Sequence, residues 1–92
     1  MPDEKLARAL RARIRRRILK TIVDSGELSV TEISEKLGIG KYSASRHLKL
    51  LYDLGLVDVK VDPPRKLYRV TIPEIRDLLE AYDKVVEAIS KR

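Results

Sequence analysis

SVTEISEKLGIGKYSASRHLKLLYDLG, residues 29–55, decides the fold. Its first four residues, Ser29-Val30-Thr31-Glu32, spell a capping box. In that motif the serine hydroxyl accepts from the N–H three residues on, and the glutamate reaches back to the serine N–H. Leu28 and Ile33 stand where a hydrophobic staple belongs. The helix so started is short and ends at Gly38. Only Gly38-Ile39-Gly40 separates it from a second helix that ends at Gly55. A short helix, a glycine turn and a second helix make a helix-turn-helix unit, here over about residues 29–54.

The second helix carries an uneven load. On a helical wheel Ala44, Leu48 and Leu51 gather on one side and should face the core. Tyr42, Arg46 and Lys49 fall nearly opposite, Ser43 and Ser45 flank them, and His47 sits at the boundary. Asp53 points outward near the far end. Donors therefore crowd the start of the helix and the acid lies at its finish. A recognition helix enters the major groove of DNA by its N-terminal residues, and this charge order suits that entry. Arg46 has the fork for guanine O6 and N7, and Lys41 can do similar work or meet a phosphate. Ser43 and Ser45 are short enough to let the helix approach. Tyr42 suits a sugar or a thymine methyl, and Lys49 the backbone. The competing reading is an ordinary solvated helix face.

Outside this unit the pattern changes twice. Upstream, Leu6, Leu10, Ile14, Ile18 and Ile22 recur every four residues, which predicts one helix from about Asp3 to Asp24. Downstream, Val57, Val59 and Val61 alternate with polar residues, and so do Tyr68, Val70 and Ile72. Asp62-Pro63-Pro64-Arg65-Lys66 lies between them. Two alternating runs around a turn read as a β-hairpin, a wing over about residues 56–72. Arg65 and Lys66 occupy its tip, either as a rigid basic contact or as a plain exposed turn. A last helix over about residues 73–91 opens at Pro73, with Thr71 as the expected cap. Its seam of Ile75, Leu78, Leu79, Tyr82, Val85, Val86 and Ile89 exceeds what a thin core needs. With Leu6 and Leu10 it forms the expected homodimer interface.

The 92 residues suggest a single domain whose core gains from a partner subunit. Net charge is +6, from 20 Lys plus Arg against 14 Asp plus Glu. Residues 1–26 and residues 36–69 each hold eight basic and three acidic side chains. That balance favours an anionic partner, most often nucleic acid. Cysteine is absent, which excludes disulfides, thiolate metal sites and thiol nucleophiles. His47 is the lone histidine, so it cannot build a metal site and reads as a structural hydrogen-bonding group at the helix–DNA boundary. No apolar run approaches the roughly 20 residues that span a bilayer. A cytoplasmic protein without a membrane role, cofactor or catalytic residues is the expectation, and no small-molecule effector can be named. The Arg13, Arg15, Arg16, Arg17 cluster is either a solvated, salt-bridged face or a phosphate clamp.

GELSVTEISEKLGIGKYSASRHLKLLYDLGLVDVKV and RKLYRV resemble the winged helix-turn-helix of the ArsR-type regulators. Ser45-Arg46-His47-Leu48-Lys49 is similar to that family's S-R-H-L-K run, Gly55-Leu56-Val57 to its wing entry, and IRRRIL (residues 14–19) to its helix start. The resemblance implies a homodimer that binds operator DNA as a transcriptional regulator. By it, Lys41, Ser43, Ser45, Arg46, His47 and Lys49 would meet the major groove, and Arg65 and Lys66 the flanking groove. Metal sensors of the family carry E-L-C-V-C-D-L where this chain has Glu27-Leu28-Ser29-Val30-Thr31-Glu32-Ile33. Both thiols are hydroxyls here, so a metal-sensing role is not implied. The family often has an Asp-Pro break where this chain has Ala12-Arg13, so the first helix is expected unbroken. The fold expected is mainly α with a β-hairpin wing, a winged helix-turn-helix dimerised through its N- and C-terminal helices. The function expected is sequence-specific binding of double-stranded DNA. A winged-helix protein-interaction module and a non-specific architectural DNA binder are the alternatives.

Overall fold

The computed structural model describes residues 1–92. In chain order the elements are α1 (Pro2–Arg11), α2 (Arg13–Ser25), β1 (Leu28–Ser29), α3 (Val30–Leu37), α4 (Lys41–Asp53), β2 (Val57–Asp62), β3 (Arg65–Val70) and α5 (Ile75–Ser90). The chain is mainly α-helical with a small β-hairpin.

Helix α2 is the central post. Its Ile18, Leu19 and Ile22 are fully buried, together with Ile33 of α3 and Ala44, Leu48 and Leu51 of α4. Each large apolar side chain taken out of water contributes about 1.5–3 kcal/mol. The wheel assignment of Ala44, Leu48 and Leu51 to the inner side of α4 therefore holds. Leu56 and Val57 continue the core into the hairpin.

The capping box is present in full. Ser29 Oγ accepts from Glu32 N–H at 3.2 Å, and Glu32 Oε1 accepts from Ser29 N–H at 3.0 Å. Both staple residues, Leu28 and Ile33, are buried. The turn between α3 and α4 needs Gly38, whose φ of 66° and ψ of 35° lie in the left-handed region. A buried serine pins the same turn: Ser34 Oγ donates to Ile39 O, and Ile39 N–H donates to Ser34 O at 3.1 Å.

Two sequence expectations about the helices need correction. The first helix is broken, not continuous. Ala12 is extended (φ −89°, ψ 126°) and separates α1 from α2. An unbroken helix of 22 residues would run about 33 Å, longer than the small core it must cover. The break folds Ala9 and Leu10 back onto that core. The carbonyls freed at the end of α1 are taken by arginines. Arg15 donates to Arg8 O at 2.6 Å and to Ala9 O at 3.1 Å, and Arg16 donates to Leu10 O and Arg11 O.

Second, Thr71 does not cap the last helix. Helix α5 begins at Ile75 with no side-chain cap, and Thr71 Oγ1 instead donates to Gly55 O at 3.1 Å, tying the end of the hairpin to the end of α4. The expected hairpin is present, β2 pairing with β3, and a third strand extends it into an antiparallel sheet in the order β1-β3-β2. Two-residue β1 pairs Leu28 with Tyr68 and Ser29 with Leu67. Leu67 of β3 is buried. The turn is Pro63-Pro64, flanked by the pair Asp62 and Arg65.

The last helix divides along its length. Ile75 (3% exposed) and Leu79 (2%) close the chain's own core, as does Leu10 of α1. These three were expected at a subunit interface, but the core occupies them. Leu6 and Tyr82 are half-buried against that core. Leu78, Val85, Val86 and Ile89 remain exposed, and every residue from Asp83 onward lies on the surface. No helix is long and apolar enough to cross a membrane.

Candidate nucleic-acid interface

Helix α4 starts at Gly40, which has no side chain to cap it. The first backbone N–H groups of the helix therefore point outward unsatisfied, an arrangement that favours anions. Tyr42 stands clear at 77% exposure, and Lys41, Ser43, Ser45, Arg46 and Lys49 are exposed around it. The Arg46 guanidinium lies over the Tyr42 ring, 5.7 Å from its centre, one helical turn away. That contact holds the arginine in a defined direction. Lys49 is less free, since its ammonium sits 3.3 Å from Asp53 Oδ2.

The hairpin adds to the same face. Lys66 shares an open groove with Ser45 and Lys49 of α4, floored by Tyr52, Val59 and Tyr68. Arg65 does not join it. Its guanidinium meets Glu32 Oε1 at 2.7 Å, so the wing arginine is latched to the start of α3. Glu32 is held below the ordinary carboxyl value of 4.5, first by the backbone N–H and hydroxyl of Ser29, then by Arg65.

His47 is half-buried at the inner edge of the face. Burial, then the charges of Arg15 and Arg46, push its imidazole below the ordinary 6.5, so it is neutral near pH 7. No hydrogen bond ties its side chain to the protein. Tyr42, Ser43, Arg46 and His47 line a notch of about 450 Å³ that also takes in Arg8 and Arg15. The site residues thus fall into two neighbouring clusters on α4, one toward the wing and one toward the α1–α2 elbow.

The salt bridges expected of the arginine cluster do not form. Arg15 and Arg16 cap the end of α1, and Arg16 also lies over the Tyr82 ring at 4.5 Å. None of Arg13, Arg15, Arg16 and Arg17 is in an ion pair. Arg8 was not singled out by sequence reasoning. Its seven-residue spacing from Arg15 was the available signal, hidden because the break at Ala12 was not foreseen. No group of three or more His, Asp or Glu side chains is placed to hold a metal ion.

Comparison with known proteins places this geometry. The helix-turn-helix domain family matches residues 10–60, more than half of the chain. The chain is 30% identical over 76 residues to the biofilm growth-associated repressor of Xylella fastidiosa, covering 83% of this chain and 66% of the relative. It thus spans just under two thirds of the length of that relative. Among solved structures, the transcriptional repressor BigR from Xylella fastidiosa superposes with a TM-score of 0.81 at 28% identity, over 90% of this chain and 84% of that one. A homodimeric winged helix-turn-helix DNA-binding domain from Mycobacterium bovis, described as that of a possible ArsR-family transcriptional regulator, gives a TM-score of 0.79 at 26% identity. That match covers 94% of this chain and 79% of the other.

Proposed function

Because the chain belongs to the helix-turn-helix domain family, among the ArsR-type winged helix-turn-helix regulators, we propose that it binds double-stranded DNA sequence-specifically, as a homodimeric transcriptional regulator. The observation that carries this reading is the outer face of α4. An uncapped helix start, a stacked Arg46 and a run of exposed donors lie together there, and the helix's one acid, Asp53, is at its far end. The whole chain works as one domain. Helix α4 enters the major groove by Lys41, Tyr42, Ser43, Ser45 and Arg46, Lys49 meets the backbone and His47 sits at the groove edge. Lys66 reaches the flanking groove from the wing, and Arg65 joins it once released from Glu32.

Dimerisation is supported by apolar surface the monomer leaves open. Leu78, Val85, Val86 and Ile89 form an exposed stripe on α5. Beside it, Leu6 lines an apolar groove of about 580 Å³ with Leu54, Leu56, Ile72 and Leu78. A second copy related by a two-fold axis would set two α4 helices at major grooves about 34 Å apart.

Selection of bound fragments from random duplex, followed by titration of the selected site and a scrambled control, tests the reading. Arg46→Ala is expected to cost about 1–3 kcal/mol on the selected site and to relax preference there. Equal weakening on both duplexes would remove the base-reading role from Arg46. Equal affinity of the unaltered protein for both would make it an architectural binder. No saturable complex with either would leave a protein-interaction module.

A further inference from the structure

Three helices bring cations to one notch that the α4 motif alone does not explain. Arg8 comes from α1, Arg15 from α2 and Arg46 from α4, beside the neutral His47, with Tyr42 and Ser43 also lining the notch. No carboxylate lines the notch, and none of its arginines is in an ion pair. Arg15 is fixed, because its guanidinium is spent on Arg8 O and Ala9 O. The side chain of Arg8 makes no hydrogen bond or ion pair within the protein. Like charges held this close repel one another, and an anion seated among them converts that repulsion into attraction.

We propose that this notch binds one phosphate of the DNA backbone, clamped between Arg8 of α1 and the outer turns of α4, so that the elbow of the first two helices extends the protein–DNA contact beyond the recognition helix. The inference rests on the DNA-binding reading above and assigns Arg8 a role that reading does not need. Phosphate is the fitting chemistry. It is a singly charged tetrahedral acceptor that Arg8 can grip from the α1 side, with the Ser43 hydroxyl as a second donor, while Arg46 at the notch edge stays free for the base it reads. A base edge would leave the charge unmatched. Burial and the flanking arginines keep His47 neutral in the free protein. An anion in the notch would reverse the sign of its surroundings and raise its affinity for a proton. The charged and titratable groups facing it are Arg8 from α1, Arg15 from α2, and Tyr42 and Arg46 from α4.

Arg8→Gln and Arg8→Lys, in the full chain, test this. Duplex affinity is measured against salt on a selected and a scrambled site. His47, the only histidine, is followed by its imidazole proton resonances with pH, free, with duplex and with inorganic phosphate alone. Arg8→Gln is expected to weaken both duplexes by the same factor, roughly three- to tenfold per subunit, and to lower the salt slope by about 2 for the dimer, one phosphate being lost from each subunit. Arg8→Lys should restore most of the loss. Duplex should raise the pKa of His47 in the unaltered protein and raise it less in Arg8→Gln. Unchanged affinity and slope in Arg8→Gln, with the unaltered protein still binding DNA, would overturn the notch and leave the DNA-binding reading standing. So would a His47 shift with inorganic phosphate but none with duplex, which marks a free-anion site. If the unaltered protein binds no duplex, the DNA-binding reading fails and the notch falls with it.

Discussion

Ser34 shows what a single side chain can set. Its hydroxyl and carbonyl bracket Ile39, so the angle between α3 and α4 is held by two hydrogen bonds across five residues. Ser34→Ala leaves the part-buried Ile39 carbonyl without this donor. It is expected to cost about 0.5–1.5 kcal/mol in urea or thermal unfolding, while an exposed control such as Ser90→Ala costs little. His47 sets a pH dependence of stability. Its folded pKa lies below the ordinary 6.5, so the unfolded chain takes up a proton first. The contribution is complete above that value and is lost as pH falls through the folded pKa. Thermal melts between about pH 5 and pH 8 should show it, and His47→Gln should flatten that segment. At this scale the sequence was partly legible. The capping box was readable because its four members are adjacent. Ser34 was not, since a serine inside a helix ordinarily looks solvated. Nor was the loss of Arg65 to Glu32, because a partner 33 residues away leaves no local trace.

Among the elements, the wing is the one whose state should govern binding. Arg65 holds the base of the hairpin tip against the first turn of α3. Glu32 thus serves two masters, the helix cap and the wing. Glu32→Gln keeps an oxygen for Ser29 N–H but removes the charge that detains Arg65. Duplex affinity should rise several-fold, and a fall would show that the latch positions the wing for contact. Glu32 sits below its ordinary 4.5, so its share of stability is present above that value and is lost as pH falls through its folded pKa. The variant should lack that acid-dependent loss. Helix and hairpin positions were legible from periodicity, because one buried face imposes its period on the sequence. Strand β1 was not, since two residues carry no period. The break at Ala12 was not, since Leu6 to Ile22 keep a helical spacing on both sides of it.

For the whole molecule, charge and apolar surface work together. A net charge of +6 favours a polyanionic partner, and the phosphate contacts of the proposed DNA complex would make the attraction salt-dependent. Affinity should fall on the order of 10³–10⁵-fold between 50 and 200 mM salt if the dimer neutralises about 6–10 phosphates. The outer half of α5 contributes nothing to the chain's own core. Val85→Asp with Ile89→Asp should therefore leave the melting temperature of the subunit fold nearly intact. In sedimentation the variant should be a monomer, and its affinity for a palindromic site should drop on the order of 100-fold. A monomeric unaltered protein at high concentration would end the dimer reading. The seam was legible in the sequence as a surplus of apolar residues. Its division into core and surface parts was not, because Ile75 and Val86 look alike until the rest of the chain is in place.

The extended residue at Ala12 turns α1 into a lever with a fulcrum. No helical backbone bond runs through that point; the angle is braced by four hydrogen bonds from two arginine forks. A lysine offers one point where a guanidinium spans two carbonyls. Arg15→Lys should thus loosen the joint while sparing both rods, and amide exchange should quicken over residues 2–11 alone. Since the lever carries Leu6 on one flank and Arg8 on another, its swing would change subunit pairing and backbone grip in a single stroke.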